Sequence, residues 1–411
     1  MVLHLLRVHR DLRDKLHARH KIAELIRALD GLADGGPLRE GLEGLIHLIG
    51  RELGNDSLGH RGLSRTGSGR GTPTCTPPSA QCIVFVVAVP LNAEHIPITR
   101  LAPSPTGALH LGNARTFLAN WALARQHGWR IVLRIEDLDT PRIKPGVMAL
   151  TVDLLRWLGI DWDVGPLVQS ETPEPHWAAM RALARAGIVY PSDLTRTQIE
   201  AAASAPQEGS HEVVFPASLR PPVVPREFDD THACWRLIVP PGEVRVEDAF
   251  AGTRVFDVSR VIGDFVVWTR RTPDRPGQPA YQLAVVVDDD RQGVTEVVRG
   301  DDLLDSAARQ MLVRRGLAIT REPRYTHLPL VLGPDGRRLA KRHGDTRLDT
   351  FRAGGTRAER VIGLVAHWCG MLDKPAEISA SEFLAGFDLR KMSREPIVLT
   401  AESLTWLSRR T

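Results

Sequence analysis

The chain has 411 residues, 43% hydrophobic and 25% charged, an ordinary globular composition that excludes a fibrous or wholly disordered chain. A formal net charge of +4 and a pI near 9.0 permit a nucleic-acid partner without requiring one. Its four cysteines, Cys75, Cys82, Cys234 and Cys369, include no C-x-x-C pair, which argues against a disulfide framework or a zinc knuckle and points to a reducing cytoplasm.

Residues 1–50 carry helical periodicity, and residues 51–80 turn rich in Gly, Ser, Thr and Pro, the composition of a linker. Together with the short apolar run Ile83–Pro90, far below the ~20 residues of a membrane span, they read as an N-terminal extension, 1–97, with no secretory signal and no membrane partner. From Ile98 short apolar runs alternate with longer amphipathic ones, the rhythm of a β-α-β protein. Candidate strands are Ile98–Leu101, Arg130–Ile135, Ala280–Val287 and Thr295–Arg299. Candidate helices are Ala114–Gln126, Val147–Leu158, Pro175–Ala186, Leu303–Arg315 and Arg357–Cys369. Residues 190–260, rich in Pro, Asp and Arg, interrupt the rhythm like an inserted subdomain.

The richest segment runs from Arg100 through Pro103, Ser104, Pro105, Gly107 and His110 to Gly112 and Asn113. It follows a strand and opens a helix. The prolines fix backbone angles, the glycines admit close approach, and the helix start offers free N–H groups and a positive dipole end to a phosphate. His110 can donate to a phosphate oxygen. Arg100 and Glu136 end strands, where open α/β sheets place ligands. With Tyr281 and Arg299 they offer two guanidinium groups, a hydroxyl and an acid, a set suited to a substrate with two carboxylates and an ammonium. The run Asp288-Asp289-Asp290 invites a metal but reads better as a helix start or loop with solvated charge, with Asp289 able to touch the nucleotide side.

Two segments could supply a basic loop to neutralise a departing pyrophosphate. Lys391-Met392-Ser393-Arg394 lies near the C-terminus, beyond the last sheet strand, and reads as a coincidence at a helix start. Arg338-Leu339-Ala340-Lys341-Arg342 follows an apolar strand and a Gly-Pro-Asp-Gly turn, and Lys341 is its expected ATP contact.

The Arg100–Asn113 run resembles the first signature of the class I aminoacyl-tRNA synthetases, with His110-Leu111-Gly112-Asn113 for the usual His-Ile-Gly-His. It is similar in particular to the R-x-A-P-S-P-T-G-x-L-H form of the glutamate-specific branch. The resemblance covers Ile98 to about Leu389. It implies an α/β fold: a Rossmann-like parallel-sheet catalytic domain in two halves, 98–189 and 261–345, an inserted acceptor-binding-like subdomain, 190–260, and a short mostly helical C-terminal part, 346–411. It implies glutamate binding by Arg100, Leu101, Ala102, Pro103, Ser104, Glu136, Tyr281 and Arg299. ATP, with Mg²⁺, would be held by His110, Gly112, Asn113 and the Arg338–Arg342 loop, chiefly Lys341. About seventy residues follow Lys341, too few for a full anticodon-binding part. That favours the short paralogues of glutamyl-tRNA synthetase, which load glutamate onto queuosine in the anticodon of tRNA(Asp) and act as monomers. The alternatives are a glutamyl-tRNA synthetase charging tRNA(Glu) and a non-catalytic tRNA-binding paralogue. Where this branch often has zinc-ligating cysteines, the chain has Ser192, Leu194, Phe215 and Leu219, so zinc is expected to be absent and the insert to be held by apolar packing.

Overall fold

The structure, a computed structural model, describes residues 96–139, 142–195, 197–199, 214–229, 233–272, 276–337, 339 and 346–408. All fall within one compact unit. The readings made above for residues 1–95, and for Arg338, Ala340, Lys341 and Arg342 of the basic loop, lie outside them.

Three strand–helix pairs open the fold: β1 (Ile98–Leu101) and α1 (Leu111–Gln126), β2 (Arg130–Ile135) and α2 (Val147–Trp157), β3 (Val164–Val168) and α3 (Glu174–Ala186). The chain then builds β4 (Val189–Ser192), β5 (Cys234–Leu237), β6 (Val244–Val246), β7 (Arg254–Phe256), the short helix α4 (Val258–Val261), β8 (Phe265–Thr269) and β9 (Gln278–Pro279). It returns through α5 (Tyr281–Arg291) to β10 (Glu296–Gly300), α6 (Leu304–Gly316), β11 (Arg324–Leu328) and β12 (Val331–Leu332). The last part holds α7 (Leu348–Ala353), α8 (Ala358–Trp368), α9 (Ala380–Gly386), β13 (Ile397–Val398) and α10 (Ala401–Ser408).

The main sheet is parallel throughout, in the order β11-β10-β1-β2-β3. One apolar core gathers α1, α2, α8 and the C-terminal segments, and a second gathers α3, α5 and α6, so the helices serve as covers for the sheet. The chain leaves β1 toward β2 and β3, then resumes on the other side at β10. The order therefore reverses between β1 and β10, and the crevice beyond their carboxyl ends is where such sheets bind ligands. Arg100 and Arg299 sit at those two ends.

The run Ala280–Val287 is a helix, α5, rather than the expected strand. Its residues from Gln282 to Asp289 are all buried, and an unbroken apolar run buried on every side has no period to separate helix from strand. The antiparallel sheet β4-β5-β8-β9 forms beside it, and β12 pairs with β13, which fastens the C-terminal part to the strand ahead of the basic loop. Lys391 ends a single 3-10 turn rather than starting a helix. Within the same segment Met392 is buried, and Arg394 lies over the Phe250 ring and donates to its carbonyl oxygen, so the segment is structural.

Candidate active site

The first end of the site is built from strand termini. Arg100, 4% exposed, is locked by its neighbours: Asn120 of α1 donates to the Arg100 carbonyl at 3.0 Å and accepts from Thr99 Oγ1 at 2.9 Å. The Arg100 guanidinium donates to the Val298 carbonyl at 3.4 Å, and its Nε stands 3.5 Å from Asp289 Oδ1. Asp289 takes Arg134 Nη1 at 2.8 Å, and Glu136 Oε1 takes Arg134 Nη2 at 2.9 Å. The result is a buried row of alternating charge: Arg100, Asp289, Arg134, Glu136.

Each charge is set by its neighbours. Burial works against the Asp289 carboxylate, but Arg134 and Arg100 outweigh it and hold its pKa below the usual range. For Glu136 burial wins over the pull of Arg134 and Arg100, and its pKa stands above the ordinary value. Glu136 also donates its backbone N–H to the Pro103 carbonyl at 3.0 Å, joining the two strand ends.

Arg299, 5% exposed, is clamped on three sides. Its Nε donates to His327 Nε2 at 2.9 Å, its Nη2 donates to the Leu303 carbonyl at 3.2 Å, and its guanidinium lies 5.4 Å from the Tyr325 ring centre. Its Nη1 is buried with no hydrogen-bond partner among the described residues. A buried guanidinium nitrogen left without an acceptor costs free energy, and a carboxylate is its natural complement. Tyr281, the first residue of α5, keeps 39% of its surface open and lies within electrostatic reach of Arg299, Glu136 and Arg100. The four pocket residues named from sequence thus meet at one place. Ser104 is exposed on the adjoining turn, Ala102 is half-buried, and the Leu101 side chain lies in the apolar core, which leaves only its main chain for a ligand.

One member of the row, Arg134, was missed from sequence. Asp289, named there, is buried and pairs with Arg100 and Arg134. Asp288 is also buried, accepting from Gln169 Nε2 at 2.7 Å and standing 3.3 Å from His176 Nε2, so the acidic run is not a solvated loop. The signal for Arg134 was a charged residue inside Leu133-Arg134-Ile135, a strand buried on both faces.

The second end of the site is the α1 N-terminus. His110 is its N-cap: Nδ1 accepts from the Gly112 N–H at 3.1 Å and the Asn113 N–H at 3.4 Å, while Asn113 Oδ1 accepts from the His110 N–H at 3.0 Å. With Nδ1 accepting, the neutral imidazole carries its proton on Nε2 and is a donor there. Asn113 spends its oxygen on the cap and keeps its amide N–H groups for donation. A Cβ on Gly112 would lie 3.0 Å from His110 Cε1 and 3.1 Å from Nδ1, so glycine is what lets the imidazole fold back. Leu339 and the residues from Thr346 onward meet this helix start. Leu339 is buried in the core beside Gly112, the Leu111 N–H bonds the Thr346 carbonyl at 3.1 Å, and the Leu348 N–H bonds the Leu109 carbonyl at 2.8 Å.

The positions where zinc was weighed do not fit the metal, since only Ser192 among the four carries a polar side chain. Leu194, Phe215 and Leu219 belong instead to a small apolar cluster with Tyr190 and Ile199. Beside this packing stands an ionic knot around the buried Asp264. Asp264 Oδ2 accepts from Tyr190 Oη and Arg220 Nε, both at 2.7 Å, and Oδ1 accepts from Arg220 Nη2 and the Val239 N–H, both at 2.8 Å. Among the described residues no group of three or more His, Cys, Asp and Glu side chains is disposed to hold a metal ion. No helix of the described residues is long and apolar enough to cross a membrane.

Comparison with known proteins agrees with this geometry. The catalytic domain of the class I tRNA synthetases (E and Q) matches residues 98–406. The chain is 43% identical to a glutamyl-Q tRNA(Asp) synthetase of Symbiobacterium thermophilum, over 75% of this chain and 98% of that protein. It is 35% identical to a glutamate–tRNA ligase of a Synechococcus strain, over 75% of this chain but 66% of that protein. Among solved structures it is similar to a glutamate tRNA ligase from Elizabethkingia meningosepticum in complex with its amino acid, with a TM-score of 0.62 and 26% identity over 76% of this chain and 68% of that one.

Proposed function

The chain belongs to the class I tRNA synthetases of the glutamate and glutamine group, and from that premise we propose that it activates L-glutamate with ATP and transfers it to queuosine in the anticodon of tRNA(Asp). The observation that carries the substrate is the unpartnered Nη1 of Arg299, buried within reach of Arg100. Arg100 and Arg299 hold the substrate carboxylates. Glu136, whose Oε2 accepts no hydrogen bond from the described residues, holds the ammonium, and Tyr281 closes the open side.

The glutamate α-carboxylate attacks the α-phosphorus of ATP and pyrophosphate leaves. No enzyme nucleophile is needed, so catalysis is positioning plus stabilisation of charge on phosphate oxygens. His110 Nε2–H, the N–H groups at the start of α1 and Lys341 supply that stabilisation, with Mg²⁺ carried on ATP. Each such donor is worth on the order of 3 kcal/mol in the transition state. The division into 98–189, 190–260 and 261–345 serves this reading: two halves of one crevice with an acceptor-binding insert between them.

Likeness supports the queuosine acceptor: the chain is 43% identical to the glutamyl-Q relative and 35% identical to the glutamate–tRNA ligase. Incubation with ATP, labelled glutamate and total tRNA should place the label on queuosine-containing tRNA(Asp). Label on the 3′ end of tRNA(Glu) would replace this acceptor, and absence of adenylate would leave a tRNA-binding protein.

A further inference from the structure

Arg299 is oriented by a group that comes from the insert. Asp248 follows β6, and its carboxylate is buried. Oδ2 stands 2.6 Å from His327 Nδ1 and accepts from the His327 N–H at 3.1 Å; Oδ1 accepts from the Phe250 N–H at 2.9 Å and the Ala251 N–H at 2.6 Å. The neighbouring Ala249 N–H bonds the Tyr325 carbonyl at 2.8 Å, so this segment also covers β11, the edge strand of the main sheet. Opposite Asp248, His327 Nε2 receives the N–H of Arg299 Nε at 2.9 Å. The Tyr325 ring stacks on the imidazole, with centroids 5.7 Å apart.

These contacts leave one consistent protonation pattern. Arg299 Nε can only donate, so Nε2 must carry a lone pair, and a neutral imidazole then carries its proton on Nδ1, pointing at Asp248. Burial and the Arg299 charge push the His327 pKa down, against the pull of Asp248 and of the Leu303 backbone, and the lowered pKa favours the neutral ring.

We propose that Asp248 and His327 form a positioning relay that fixes the Arg299 guanidinium for the substrate carboxylate, and that amino-acid recognition therefore depends on the inserted segment being docked. The proposal rests on the glutamate-activating reading. Asp248 is a positioning residue, not a catalytic one, because it acts through two intervening groups. Its carboxylate selects the tautomer of His327, and the tautomer decides whether Arg299 meets an acceptor or a second donor.

Two variants and one spectrum test it. Asp248→Asn puts an amide N–H where Oδ2 was, which favours the reversed tautomer and turns Nε2–H against Arg299. In glutamate-dependent ATP–pyrophosphate exchange, KM for glutamate should rise roughly tenfold or more, the usual scale for groups that orient a ligand-binding residue. KM for ATP should move less than about twofold on the same scale. His327→Gln keeps an amide oxygen able to accept from Arg299 and should stay closer to the parent than Asp248→Asn. An equal rise in both KM values, or none in Asp248→Asn, overturns the relay. Histidine-selective nitrogen NMR reads the tautomer without any substrate, the His327 signal being the one lost in His327→Gln. The parent should show the proton on Nδ1, and a parent with the proton on Nε2 overturns the relay even if Asp248→Asn does not fold. If the parent exchanges with no amino acid, the functional reading fails while the spectrum still decides the relay.

Discussion

Two arginine–aspartate assemblies among the described residues can be compared, and the difference between them separates structure from function. At the knot beside the zinc-equivalent positions, the Asp264 carboxylate receives four hydrogen bonds, two on each oxygen, about its full acceptor capacity. At the crevice between β1 and β10, the row Arg100, Asp289, Arg134, Glu136 is held by ion pairs, yet Arg100 Nε within it and Arg299 Nη1 beside it are buried with no hydrogen-bond acceptor among the described residues. A closed assembly has nothing to offer a ligand. An assembly short of one anion stores an unmet interaction that a substrate carboxylate can satisfy.

The largest effect expected from this contrast is on stability. Asp264→Ala leaves Arg220 and Tyr190 without their shared acceptor and should cost about 3 kcal/mol, as breaking a buried pair does. The urea midpoint measures it. Exchange activity per folded molecule should be unchanged, and a fall in that activity would mean the knot is not merely structural.

The pocket should respond the other way. Arg299→Lys keeps the charge but loses the planar fork, so it cannot bond His327, the Leu303 carbonyl and a carboxylate together. Glutamate-dependent exchange should fall by roughly 10²-fold or more while the urea midpoint moves little. A large midpoint loss with intact exchange would erase the distinction between the two assemblies.

A smaller effect is expected at the nucleotide end, which is built from caps rather than ion pairs. Gly112→Ala would push a methyl group against the His110 ring. A displacement of the ring should lower the exchange rate roughly tenfold, since ångström-scale misplacement of a catalytic group costs up to about 10²-fold. KM for ATP should rise and KM for glutamate should not.

What could be read in the sequence follows the same division. Local chemistry was legible: the Pro/Gly turn, the His110 helix start, and Arg100 and Glu136 at strand ends each carry their own signal within a few residues. Pairings across long separations were not. Arg134 meets Asp289 155 positions away, and His327 meets Asp248 79 positions away, with no periodicity to announce either. The helix α5 was hidden for a physical reason too, since burial on every face erases the alternation that marks a strand or an amphipathic helix. Three of the positions weighed for zinc lie in an apolar cluster, and Asp264, the anion beside that cluster, lies beyond the span read as the insert.

The pH dependence of Glu136 gives the finest test. Burial raises its pKa despite Arg134 and Arg100, so as pH falls it takes up a proton earlier than an ordinary glutamate, whose value is near 4.5. The ammonium of the substrate then loses its anion, and KM for glutamate should rise as pH falls through that raised value. The same group acts on stability with the opposite sign. Between the ordinary value and the raised one, the folded state binds more protons at Glu136 than the unfolded state, so this group's contribution to stability is greatest in acid and is lost as pH rises. Weaker glutamate binding in acid therefore cannot be charged to unfolding driven by Glu136. Titrating KM in the parent and in Glu136→Gln should show the acid limb shrinking in the variant, alongside a higher KM at neutral pH where the lost charge is felt. An identical limb in both proteins would move the ammonium site elsewhere, and with it the claim that the open assembly is the amino-acid pocket.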